Sequence, residues 1–72
     1  MKYMVIIEKG EVGYGAYVPD LPGCIAAAET ENEVRELIQE AIAFHIESLI
    51  EEGEAVPQPS SASIFIEVPT AA

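Results

Sequence analysis

The stretch that most limits what this chain can fold into is Val18-Pro19-Asp20-Leu21-Pro22-Gly23-Cys24. It lies between two short apolar runs, residues 13–18 and 24–28. Pro19 has no N–H to donate, so a strand arriving through 13–18 loses its ladder there. Pro22 presets φ and Gly23 accepts φ > 0, the chemistry of a tight turn. Pro19, Pro22 and Gly23 therefore shape a reversal that makes the flanking runs antiparallel neighbours. On this reading the turn holds Asp20 and Leu21 out as a rigid tip, stiffened before any partner arrives.

Residues 2–8, KYMVIIE, read as a first strand ending at the turn Glu8-Lys9-Gly10-Glu11. Tyr3, Val5 and Ile7 point one way and Met4 and Ile6 the other. Both faces are apolar, which predicts a central strand covered on both sides. Residues 13–18 follow as a hairpin partner, with Gly15 allowing a bulge or a close approach. Residues 24–28 form the third strand. Thr30-Glu31-Asn32-Glu33 then reads as a capping box, in which the Thr side chain and Glu33 each satisfy an orphan N–H. The helix runs to about Glu52, and Gly53 stops it. Val34, Leu37, Ile38, Ala41, Ile42, His45 and Leu49 make one apolar stripe at helical spacing, which packs on the sheet. After a Pro/Ser connector over 53–62, residues 63–68 (SIFIEV) read as a fourth strand, with PTAA, 69–72, as a short tail.

The order β-β-β-α-β predicts an α+β domain over 1–68, with one helix on one face of a four-stranded mixed sheet. A right-handed crossover would set the last strand parallel within that sheet. Nothing then remains to cover the other face, which carries Met4, Ile6, Phe65 and Tyr17. Ile46 and Ile50 fall outside the helix stripe, and Phe44 flanks it. Met4, Ile6, Phe44, Ile46, Ile50 and Phe65 are thus candidates for a contact between copies of the chain. A chain of 72 residues buries only ~60% of its unfolded surface on folding, and half of these residues are hydrophobic. Oligomerisation or a bound partner is the usual remedy.

Thirteen acidic residues stand against three basic ones, for a net charge of −10. Direct binding of nucleic acid by this chain is not expected, because phosphate binding requires Lys and Arg. A basic protein suits such a field, although the charge could equally serve solubility. Cys24 has no second cysteine to pair with or to share a metal, which fits the cytoplasm. No apolar run approaches a membrane span.

No catalytic, metal-binding or cofactor-binding set emerges. A two-metal nuclease needs several converging carboxylates. Glu8 and Glu67 stand at strand positions, while Glu36, Glu40 and Glu47 point away from the sheet. His45 lies in the apolar stripe without an evident nucleophile or orienting partner, and Cys24 reads as a small packed residue. On the outer face of the helix, Glu36 with Glu40 and Glu47 with Glu51 are like charges at i,i+4 spacing, and Glu51 and Glu52 oppose the helix dipole. Only Glu31 and Arg35 are well arranged as a pair.

YGAYVPDLPGC closely resembles the signature of HicB-like antitoxins. The similarity continues through Thr30-Glu31-Asn32-Glu33 and through the connector EGEAVPQPS, residues 52–60, so it covers nearly the whole chain. The resemblance implies a partial RNase H-like fold and a role in a type II toxin–antitoxin system. It implies a small basic HicA-like toxin as partner, an mRNA interferase whose active site the antitoxin masks. Glu8, Tyr17, Asp20 and Leu21 are the candidate partner contacts. Many members carry a C-terminal DNA-binding domain; none is expected here, so operator binding would be absent or supplied by another chain. Ala27-Ala28 stand before the helix-opening Glu29-Thr30 where many members have a glycine. The reading from another class is an orphan homo-oligomeric scaffold without a toxin.

Overall fold

In the computed structural model, which describes residues 1–70, the chain runs β1 (Ile6–Lys9), β2 (Tyr14–Tyr17), β3 (Ile25–Ala28) and α1 (Glu31–Glu51). The architecture is α+β, a sheet of order β1-β2-β3 with one long helix against it. Both pairings are antiparallel. Ile6 faces Tyr17 and Lys9 faces Tyr14 across the first ladder; Tyr14 faces Ala28 and Tyr17 faces Ile25 across the second. The hairpin joining β1 to β2 closes through Gly10 N–H donating to the Gly13 carbonyl at 2.7 Å.

The pleat sorts the side chains. Ile7, Tyr14, Ala16, Ala26 and Ala28 face the helix and join the core cluster, while Ile6, Tyr17 and Ile25 lie on the opposite face. Small residues at 16, 26 and 28 leave room on the sheet for Val34 and Ile38, both buried on α1. Val18, Leu21 and Cys24 complete the buried set.

Gly13, rather than Gly15, is where the backbone comes close. A Cβ at Gly13 would lie 2.6 Å from the Ala28 carbonyl oxygen, whereas at Gly15 the nearest atom is an ordinary 3.9 Å away. Gly15 pairs in register with Glu8 and Ala27, without a bulge.

Thr30 caps the helix from an extended conformation (φ −123°, ψ 159°). Its Oγ1 accepts from Glu33 N–H at 3.2 Å, and its hydroxyl donates to Glu33 Oε1 at 2.9 Å. The expected second half of the capping box differs: the Glu33 carboxylate takes the Thr30 hydroxyl. The C-terminus closes as a Schellman motif. Gly53, at φ 73°, donates to the Ile50 carbonyl and Glu54 N–H donates to that of Leu49.

Two expectations about the sheet are corrected. Residues 63–68 form no strand: they extend away from the body, with Ile64, Phe65, Ile66 and Val68 all exposed. The sheet is therefore three-stranded among the described residues and purely antiparallel, not a four-stranded mixed sheet. The connector explains this. Tyr3 Oη donates to the Pro57 carbonyl near the start of the chain, and Ser60 and Ser61 are then bound to Asp20 in the turn after β2. These bonds hold the connector beside Tyr3 and the β2–β3 turn, and residues 63–68 beyond it stay exposed. In consequence β1 is an edge strand rather than a central one. On the helix, Ile46 packs against the core, four residues after Ile42, and Leu37 is more exposed than the stripe predicts. The expected tail, 69–72, reaches Ala71 and Ala72, which lie outside the described residues.

Candidate functional site

The turn between β2 and β3 folds inward. Leu21 N–H donates to the Val18 carbonyl at 3.1 Å and Cys24 N–H to the Leu21 carbonyl at 3.0 Å. Val18 N–H then donates to the Cys24 carbonyl at 3.2 Å and closes the loop at its base. Gly23 takes φ 85°, the left-handed conformation that turn requires. The expected displayed tip is thereby corrected at Leu21. Its side chain is fully buried and plugs the core under the turn, because the nested bonds draw residue 21 toward Val34 and Ile38. Leu21 has no surface to offer a partner.

Asp20 stays at the surface, but its carboxylate is occupied. Oδ2 accepts the backbone N–H groups of Ser60 and Ser61, each at 2.9 Å. Oδ1 accepts the Ser61 hydroxyl at 2.6 Å and the Ser60 hydroxyl at 3.2 Å. These donors favour the ionised form, with the Ser61 hydroxyl and N–H foremost, and lower the carboxyl from 3.8 to about 2. Sequence reasoning did not find Ser60 and Ser61. The partners stand 40 and 41 positions from Asp20, beyond any local motif.

The remaining candidates divide between two surfaces. Met4, Ile6, Glu8 and Tyr17 share the sheet face opposite the helix, where Ile25, 71% exposed, joins them. Ile6 and Tyr17 are direct cross-strand partners, and Glu8 stands opposite Gly15, next to bare backbone. This is an open apolar patch with a carboxylate at one end. Phe44 and Ile50 are exposed on α1, apart from that patch, and Phe65 is exposed on the outstretched segment. Ile46 is half-buried and packs against the core.

The outer surface of α1 is acidic. Glu36, Glu40, Glu47 and Glu51 are all exposed, and the last turn contains no basic residue to complement the dipole. Arg35 pairs with Glu31 at 3.7 Å, with both side chains more than half exposed. Such a pair contributes only a few tenths of a kcal/mol.

Among the described residues, no three His, Cys, Asp or Glu side chains converge as a metal site. Cys24 is buried, and desolvation raises its thiol pKa, disfavouring the thiolate. His45 is half-buried on α1. No helix among the described residues is long and apolar enough to cross a membrane.

Comparison with known proteins accounts for this arrangement. The family described as "HicB_like antitoxin of bacterial toxin-antitoxin system" matches residues 3–71, from before β1 through the outstretched segment. The chain is 43% identical over 67 residues to UPF0150 protein Ta0767 of Thermoplasma acidophilum, covering 92% of this chain and 97% of that one. It is 30% identical over 70 residues to Antitoxin HicB 2 of Photorhabdus laumondii, covering 96% of this chain but 50% of the relative. A 14.9 kDa protein of Haemophilus phage HP1 is 41% identical over 69 residues, and there too the chain spans about half the relative's length, 52%. Among solved structures, the fold is similar to a chain of a HicA3 and HicB3 toxin–antitoxin complex. The TM-score is 0.72 at 37% identity, covering 83% of this chain and 70% of that one. The inward turn, the capped helix and the pinned connector thus lie within one continuous family match, and the chain belongs to the HicB-like antitoxin family.

Proposed function

We propose that this protein neutralises a small, basic, HicA-like mRNA interferase by covering its active site. The family match over residues 3–71 carries this reading. A chain similar to this one comes from a HicA3–HicB3 complex, which supports a toxin as the partner class. The acidic surface of α1 and the net charge of −10 supply the field that draws in a cationic protein. At the contact, carboxylates stand where RNA phosphates would lie. The sheet face formed by Met4, Ile6, Tyr17 and Ile25, with Glu8 at its end, supplies an apolar docking patch. The role is binding rather than catalysis. So few Lys and Arg residues give this chain no surface of its own for nucleic acid. The β-β-β-α order supports a partial RNase H-like description of the fold, with 63–68 as its missing strand.

The test is to look beside its gene in the host for a reading frame encoding a small Lys/Arg-rich protein, whose absence would count against the proposal, and to titrate this chain into that protein. RNA cleavage by that protein should fall as this chain is added, to a fixed stoichiometric end point. Undiminished cleavage at excess chain would end the proposal.

A second reading rests on a separate observation. Ile25, Phe44, Ile50 and the segment 63–68 expose far more apolar surface than the fold of one chain can hide. The chain would then act as a homo-oligomeric interaction protein, stable by itself and indifferent to a basic partner.

A further inference from the structure

The segment Ile64-Phe65-Ile66-Glu67-Val68 has the composition and alternation of a half-buried strand, but it contacts no sheet. Ile64, Ile66 and Val68 are 77%, 72% and 69% exposed, and Phe65 is wholly so. An exposed apolar segment with strand-like alternation, its backbone unpaired, is a template for pairing with another chain. The sheet has a vacancy of matching kind. β1 is bonded on one side only, to β2. Beside it, toward the helix, runs an open groove of 710 Å³. Val5, Ile7, Ile38 and Ile42 give the groove its apolar surface, and Arg35 and Glu36 stand at its polar border.

The segment is poorly placed to fill that groove within its own chain. Ser61 is held to Asp20, beyond the end of β2, by bonds of 2.6 and 2.9 Å. Three further residues reach Ile64, at most ~10 Å of extended chain. A strand added outside β1 lies two strand spacings from β2, ~10 Å, before the path back from the turn is counted. The connector also arrives from the β1 side, past Tyr3, so it would have to double back.

We propose that residues 63–68 add as a fourth strand to the free edge of β1 in a second copy of this chain, and reciprocally, giving a strand-exchanged dimer. Ile64, Ile66 and Val68 enter the partner's groove against Val5, Ile7, Ile38 and Ile42. Phe65, on the alternate face, extends the outer apolar patch beside Ile6. The Asp20 carboxylate directs the segment outward, and backbone pairing at the edge supplies the association. Burial of the exposed apolar segment provides the driving force. The proposal concerns self-association alone, so a failure to bind a toxin would leave it standing.

The test is isotope-filtered NMR on the full chain, mixing labelled and unlabelled copies, with mass measured by light scattering. The expected result is a dimer with intermolecular contacts between the methyls of Ile64, Ile66 and Val68 and those of Val5, Ile7, Ile38 and Ile42. Ile66→Asp should halve the measured mass while the amide spectrum of residues 6–51 stays folded. Three results overturn the proposal. The contacts could be purely intramolecular, they could run between the two 63–68 segments, or the chain could be a monomer with the segment free.

Discussion

The Asp20 carboxylate receives the Ser61 side chain at 2.6 Å and the Ser61 backbone N–H at 2.9 Å, joining the turn after β2 to the connector beyond α1 across 41 positions. This relationship gives Asp20 a structural task and sets the direction in which 63–68 leaves the body. It also has a pH signature. The folded carboxyl titrates at about 2, below its usual 3.8, so the clamp's stabilisation is fully present above pH ~4. It is lost as the pH falls through about 2. Ser60 and Ser61 amide shifts followed from pH 6 downward should show that low midpoint, whereas a midpoint near 3.8 would mean the clamp is absent in solution. Asp20→Asn keeps one acceptor but turns an NH2 toward serine donors, and should raise amide exchange at Ser60 and Ser61 at neutral pH.

Leu21 is fully buried, so Leu21→Ala should destabilise the fold by about 2–5 kcal/mol in urea denaturation. For a domain of this size that is a large part of the total. A variant of unchanged stability would contradict the core role and return Leu21 to the surface.

Gly13 and Gly15 should respond differently to alanine. At Gly13 the new Cβ meets the Ala28 carbonyl oxygen at 2.6 Å and must push the strands apart, at a cost of about 1–3 kcal/mol. At Gly15 there is room, with the nearest atom 3.9 Å away. Thermal unfolding of the two variants decides this, and equal effects would contradict the geometry.

The acidic face of α1 should act on the association rate. Replacing Glu36, Glu40 and Glu47 with Gln should slow binding to a basic toxin and flatten its salt dependence, with little change in dissociation. Removing the like-charge pair Glu36–Glu40 should leave stability unchanged or raise it by about 0.2–0.5 kcal/mol. Stopped-flow association at two ionic strengths reads the first effect, and chemical denaturation the second.

What could be read from the residues was local. Pro19, Pro22 and Gly23 punctuate the chain so strongly that the β2–β3 reversal follows from them. Thr30 and Gly53 likewise bound α1 to within a residue of the structure. Alternation along 3–7 correctly sorts Tyr3, Val5 and Ile7 toward the core. The main errors concern the direction of Leu21 and the path of 63–68, and neither leaves a periodic pattern in the sequence. Whether Leu21 points out or in depends on hydrogen bonds nested inside the turn, and an apolar residue between prolines is compatible with either. The pairing of Asp20 with Ser60 and Ser61 joins distant positions and leaves no periodic trace. That pairing leads 63–68 away from the body, so a segment with correct strand character lacks a strand partner in its own chain.

The antitoxin role is open to direct measurement: the chain is purified from its native host, what accompanies it is identified by mass spectrometry, and RNA cleavage by the partner is assayed before and after recombination. The expected result is a small Lys/Arg-rich protein at fixed stoichiometry, whose RNA cleavage is lost when this chain is restored. A homo-oligomer purifying alone, with no basic protein attached, would contradict the antitoxin role and favour the homo-oligomeric reading.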